Sequence, residues 1–303
     1  DRKLDVTLGL RYFKDDRLLT EVIDPAFLAL IQSVDPTFTG KVDESFTTTN
    51  PRLNVAYHLA DDWMTYGNIA KGFRTGQPQP ALSLGLAILN GVTVPTGIDP
   101  ETLWSYEVGT KGTFDDGHMT LEAAVYYNAW KDLQVPVVVA PQVRALVNGG
   151  TARTQGVEVG LTFRPTKGLS LQFSGGFVDA KFTEDVAGIN IVSGDRIPGV
   201  PKTTLSAAAT YRWPFLDTVS GFAHGSAQYT SERTDTVNLA PPSDSTTTVD
   251  LRFGIEGKSW AAYLYGDNVT DEDGAIDVLA NPSGTATRLR PRTVGLNVRY
   301  NFT

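Results

Sequence analysis

The chain has 303 residues, with 34 acidic against 26 basic side chains, a formal net charge of −8 and 41% hydrophobic residues. That balance excludes a disordered chain and argues against nucleic-acid binding, and the absence of cysteine excludes disulfides and thiol chemistry. No apolar run reaches the roughly 18 residues of a membrane helix, since Ala26–Val34 and Leu133–Ala140 are short and interrupted; a barrel that shows only every second residue to lipid passes that filter unseen.

Taken in order, the alternation of apolar and polar residues predicts about twelve strands. The first, 4–13, places Leu4, Val6, Leu8, Leu10 and Tyr12 on one face. A long connection, 14–46, leads to strands 47–59 and 63–73, joined by Ala60-Asp61-Asp62. A second long connection, 74–102, leads to 103–114 and 118–131, joined by Asp115-Asp116-Gly117. In the latter strand Leu121, Ala123, Val125 and Tyr127 alternate with Glu122, Ala124 and Tyr126. After 132–151 come 152–164 and 169–182, with Pro165-Thr166-Lys167-Gly168 between them; here Val157, Val159, Leu161 and Phe163 alternate with Glu158, Gly160, Thr162 and Arg164. The connection 183–199 precedes 200–213 and 219–231, and 232–245 precedes 246–257 and 260–268, with Gly257-Lys258-Ser259 as the turn. The last connection, 269–289, leads to 290–302, where Val294, Leu296, Val298, Tyr300 and Phe302 share a face. Strands 63–73, 219–231 and 260–268 alternate least cleanly. The chain opens at Asp1 with no Met, no charged n-region and no apolar h-region, so no signal peptide is expected within 1–303.

Short connections rich in Asp, Gly and Pro are hairpin turns, and they alternate strictly with long ones. This sorting predicts an all-β, antiparallel transmembrane β-barrel portion: an up-and-down meander of about twelve strands with short periplasmic turns and long extracellular loops. Several predicted strands exceed the usual five or six residues and meet the roughly 9–11 needed to cross a bilayer. A soluble β-sandwich or solenoid is the alternative. Tyr57, Trp63, Tyr66, Trp104, Tyr106, Phe114, Phe163, Tyr211, Trp213, Tyr300 and Phe302 fall near strand ends, as an interfacial aromatic girdle would; strands also favour aromatics for their own sake. On the opposite parity, expected to face a lumen, lie Glu107, Lys111, Glu122, Glu158, Arg164, Lys202, Arg212, Arg252 and Glu256.

Several stretches together resemble TonB-dependent outer-membrane receptors. They are YGNIAKGFRTG at Tyr66–Gly76, WSYEVGTKG at Trp104–Gly112, YYNAWKDLQ at Tyr126–Gln134, VNGGTARTQGVEVG at Val147–Gly160, GDRIPGVPK at Gly194–Lys202, DNVTDE at Asp267–Glu272 and RPRTVGLNVRYNF at Arg290–Phe302. They occur in the family's order from about residue 47 onward. The resemblance implies the C-terminal part of a barrel of about 22 strands, with the plug domain and the first barrel strands absent from 1–303. It implies active uptake of a scarce nutrient, an iron–siderophore complex first among them. It implies partners in TonB, ExbB and ExbD, reached through the plug and a TonB-contacting segment (the TonB box), and in outer-membrane lipid, the barrel-assembly machinery and a small-molecule or metal-chelate ligand. Tyr300 and Phe302 match the family's terminal assembly signal, although Thr303 follows where the family usually ends on the aromatic. A self-contained pore or secretion translocator of roughly twelve strands is the alternative function.

No enzyme chemistry is expected. His58, His118 and His224 are scattered and lack metal-ligand spacing, and Asp267, Asp271, Glu272 and Asp273 lack the bidentate Glu of a calcium loop. No cofactor, metal or nucleic-acid site is called. Ligand contacts are expected near the long-loop rim, at Arg74, Gln77, Gln79, Trp130, Gln134, Arg144, Asn148 and Arg153, because Arg and aromatic groups suit anionic or aryl ligands. Loops are also polar simply because they are solvated.

Overall fold

The computed structural model describes residues 3–186, 191–234, 242–278 and 286–302. Their order is β1 (Leu4–Thr20), α1 (Pro25–Gln32), β2 (Lys41–Ala60), β3 (Trp63–Arg74), β4 (Gln77–Pro78), α2 (Ala81–Leu89), β5 (Gly97–Ile98), β6 (Glu101–Phe114), β7 (Met119–Lys131), β8 (Gln134–Ala140) and β9 (Val143–Asn148). There follow β10 (Ala152–Thr166), β11 (Leu169–Phe182), β12 (Thr203–Leu216), β13 (Val219–Thr230), β14 (Thr246–Glu256), β15 (Trp260–Asp267), β16 (Ala275–Val278), β17 (Ala286–Arg288) and β18 (Thr293–Tyr300). Twelve of these form one sheet in the order β1-β2-β3-β6-β7-β10-β11-β12-β13-β14-β15-β18, and every neighbouring pair is antiparallel. The expected meander is present, and the three poorly alternating strands are β3, β13 and β15. β1 and β18 stand at opposite ends of the ladder.

The register explains the sheet's chemistry. Asn68 lies opposite Glu107, Glu107 opposite Tyr126, Glu158 opposite Gly176 and Ser206 opposite Gln228, so one face is largely polar, with small residues such as Ala124 and Ala208 between. The other face carries Val108, Val125, Val157 and Phe177 in direct succession. These apolar residues are exposed: Val108 is 59% accessible and Val125 53%. The buried apolar residues instead cluster under the long loops. A sandwich would reverse this pattern, because its regular apolar face would be its core.

Among the described residues, the five short turns lie on one rim and the six long connections leave and re-enter the sheet at the other. Gly168 fixes one turn, with φ of +89° and the Arg212 carbonyl where a Cβ would sit, so only glycine fits. Asp115, Asp116 and Gly117 all have positive φ, as a tight hairpin requires. Two boundaries differ from expectation. β1 and β2 continue beyond 4–13 and 47–59 as a two-stranded arm, paired from Lys14–Thr47 to Thr20–Lys41, whereas β2 leaves β3 after Arg52–Ala70. The long connections also contain helices and hairpins that alternation did not predict. Thr303, the residue after the expected terminal aromatic, lies outside the described residues.

Candidate functional site: the long-loop rim and the polar face

Three long connections pack into one knob. α1 meets α2 through Ile31, Phe38, Ala81 and Leu84. α2 meets the β8–β9 hairpin through Ala87, Val139 and Ala145. That hairpin rests on the upper ends of β10 and β11 through Val135, Val147, Ala152 and Phe182, with Trp130 packed against them. α1 is started by Asp24, whose carboxylate accepts from the Ala26 amide at 2.8 Å, and by Pro25 at its first position. α2 has no capping side chain of its own, and Glu21, between β1 and α1, supplies the missing acceptor to the Ala81 amide at 2.8 Å.

Polar clamps lock the knob to the barrel strands. Glu101, only 2% exposed, accepts from the Gln134 backbone amide at 2.6 Å and lies 3.3 Å from the Arg74 guanidinium. The Gln134 side-chain amide donates to the Thr75 and Asp99 carbonyls at 3.0 and 3.1 Å. Asn148 donates to the Asp99 and Asp132 carbonyls and accepts from the Asp99 amide. Gln79, 2% exposed, both donates to and accepts from the Leu146 backbone. Arg17, from the β1–β2 arm, reaches the Gly76 carbonyl at 2.9 Å and Thr75 Oγ1 at 2.6 Å. Beside it Glu44 is held above the ordinary carboxylate range, chiefly by burial and then by the charge of Asp99, with Arg17 opposing.

The eight expected contact residues therefore separate by position. Gln79, Gln134 and Asn148 spend their amides on loop backbone, and the Trp130 ring packs into the apolar cluster. Arg74, Gln77 and Arg144 present exposed side chains at the rim. Arg153 lies opposite Ala129 and Lys181 on the apolar-parity face, 3.8 Å from Asp179. Sequence reasoning did not single out Glu101, Asp99, Glu21 or Arg17. Glu101 fell in the expected long connection 74–102, and only the structure makes it the first residue of β6.

Below the knob, the polar face holds a cleft of about 470 Å³ lined by Glu107, Glu122, Glu158, Tyr66 and Lys111. Tyr66 donates to Glu107 at 2.7 Å, and Lys111 lies 3.3 Å from Glu122. This corrects one expectation: Tyr66 belongs to the polar face and not to the aromatic girdle, because it sits opposite Gly109 and its ring covers that glycine. Of the charges expected on this face, Arg212 pairs with Glu256 at 3.4 Å and stands 4.7 Å from the Phe222 ring centroid. The acidic loop after β15 is self-satisfied: Glu272 accepts from the Thr247 and Gly274 amides, and Asp271 from the Arg292 amide. At the chain end Tyr300 and Phe302 stack edge to face with centroids 4.9 Å apart.

A family model described as TonB dependent receptor-like, beta-barrel, matches residues 1–269. The pesticin receptor of Yersinia pestis is 27% identical over 266 residues, covering 83% of this chain and 36% of that protein. The solved ferric yersiniabactin uptake receptor FyuA from Yersinia pestis superposes with a TM-score of 0.77 at 21% identity, over all of this chain and 44% of that one. The siderophore receptor PiuA from Acinetobacter baumannii gives 0.69 at 18%, over 98% and 41%. At these identities the two superpositions speak to the fold. The chain spans well under half the length of the proteins it matches.

Proposed function

We propose that this chain, which belongs to the TonB-dependent receptor β-barrel family, works as part of an outer-membrane receptor that takes up a scarce nutrient, an iron–siderophore complex being the favoured cargo. The observation that carries the reading is the pairing of a sheet whose two faces differ in polarity with a folded knob of long loops on one rim only. An apolar outer face suits hydrocarbon, a polar inner face suits a wet or protein-filled lumen, and loops gathered on one side suit ligand capture outside the cell. The names of the relatives point to chelated iron, and that is the support for the cargo.

Arg74, Gln77 and Arg144 are the proposed first contacts of an anionic chelate, since guanidinium groups pair with carboxylate and hydroxamate-like oxygens in two-point geometry. Gln79, Trp130, Gln134 and Asn148 act by holding the loops that carry them. Energised transport would run through TonB, ExbB and ExbD, with the barrel-assembly machinery placing the receptor in the outer membrane. A self-contained twelve-stranded pore fits less well, because β1 and β18 do not pair. The test is uptake of radiolabelled ferric chelates by cells carrying the natural full-length protein, in TonB-positive and TonB-negative hosts. Uptake that depends on TonB and falls in the R74Q/R144Q variant supports the proposal. Equal uptake in both hosts refutes it.

A further inference from the structure

The apolar-parity face carries a line of cations that ligand uptake does not use. Reading straight across the register, Lys71 lies opposite Trp104, Trp104 opposite Ala129, Ala129 opposite Arg153, and Arg153 opposite Lys181. Lys131 stands two residues above Ala129 on the same face. Arg153 and Lys181 share one carboxylate, Asp179, at 3.8 and 2.9 Å, and among the described residues Lys71 and Lys131 have no ion pair. The cluster is thus strongly positive in a chain whose net charge is −8.

What lies beneath it matters equally. The next row toward the short-turn rim is Tyr106, Tyr127, Gln155 and Asp179, aromatic on its β6–β7 side with rings 6.4 Å apart and polar beneath Arg153 and Lys181; Trp104 stacks on Tyr106. The row after that is Val108, Val125, Val157 and Phe177, and these line an apolar trough of about 590 Å³ together with Phe173. Cation, polar or amphipathic side chain (Tyr106, Tyr127, Gln155) and apolar trough follow one another over a few residues, in the order of phosphate, glycerol region and acyl chain in a lipid. Long basic side chains can reach from an apolar surface to a headgroup, and charge-assisted hydrogen bonds to phosphate oxygens are strong ones.

We propose that this outer face is a binding site for a phosphate-bearing lipid of the leaflet on the long-loop side, its phosphate held by Arg153, Lys181 and Lys131 and its acyl chain in the trough below. The proposal rests on the outer-membrane reading given above. Its test is native mass spectrometry of the natural full-length protein, reconstituted in vesicles of phosphatidylcholine containing phosphatidic acid. Wild type should retain phosphatidic acid in preference to phosphatidylcholine. The K131Q/R153Q/K181Q variant should lose that preference by roughly ten-fold, in line with what surface cations contribute near anionic headgroups. The D179N variant, which removes the carboxylate that Arg153 and Lys181 share, should retain more. Equal retention by all three, each migrating as a folded barrel, overturns the lipid site and leaves the receptor reading intact. Release of the lipid by excess inorganic phosphate alone overturns the acyl-chain part and makes the site a phosphate site.

Discussion

At the residue scale, a side chain's meaning here is set by its parity more than by its type. Val159 and Thr162 are three residues apart in β10, yet Val159 stands opposite Ala123 and Gly175 on the apolar face, and Thr162 opposite Thr120 and Gln172 on the polar one. Val159→Arg should therefore cost about 2–4 kcal/mol near the bilayer midplane, while Thr162→Arg should be close to neutral. Heat-modifiability of the two variants on semi-native gels measures this, and equal tolerance would reverse the orientation of the sheet. The same logic was legible in the sequence for charges such as Glu107 and Glu158, whose positions followed from counting by twos. It misplaced Tyr66, because an aromatic near a strand end was read by residue type without regard to parity. It also could not separate Arg74 from Gln134. Both are polar residues flanking a loop, and only the folded knob shows that the Gln134 amide is committed to the Thr75 and Asp99 carbonyls.

At the scale of elements, all twelve sheet strands were legible, since lipid on one side and water or protein on the other impose a period of two, clear in nine of them and weakest in β3, β13 and β15. The β1–β2 arm was not. Its sequence, Lys14-Asp15-Asp16-Arg17, is charged on both faces, as an arm standing clear of the bilayer can be, and no alternation survives to mark it. The helices were hidden for the opposite reason. Ala81–Leu89 is apolar nearly all round, on the exposed Leu82 and Leu89 as well as on the face packed against α1 and the β8–β9 hairpin, so it shows no helical stripe. The Leu133–Ala140 run, too short to cross a membrane, is the β8 half of that hairpin.

The arm also carries a pH response. Burial and Asp99 raise the Glu44 carboxyl above its ordinary 4.5, and its Oε2 is buried without a partner. An acid with a raised folded value binds more protons folded than unfolded just above 4.5, so its contribution is fully present below that value and fades as pH rises through the folded one. The contact of the arm with 75–99 should thus tighten under mild acid. The protection of the amides at 41–47 against hydrogen exchange, taken relative to the intrinsic rate at each pH, should rise from neutral pH downward in wild type and remain level in Glu44→Gln. A wild type and variant with identical profiles would remove Glu44 from the account.

For the whole molecule, the decisive feature is that the ladder has two ends. Leu8 and Leu10 of β1 are 79% and 76% accessible, and Val294, Leu296 and Val298 of β18 are 72%, 66% and 67%. Along each of these strands one row of backbone N–H and C=O groups has no strand partner. In water such edges invite pairing with another chain. In hydrocarbon each unmet group costs several kcal/mol, which is why membrane sheets close. Joining β1 to β18 would satisfy both rows, but it would demand a cylinder of twelve strands from residues whose relatives extend over more than twice this length. Residues 1–303 expressed alone and refolded in detergent are therefore expected to give mixed oligomers, sensitive to protease and without a heat-dependent shift on gels. Light scattering after size exclusion provides the reading. A monodisperse, protease-resistant monomer would mean that β1 and β18 had found each other, and the twelve-stranded pore would then displace the receptor as the better account of this sheet.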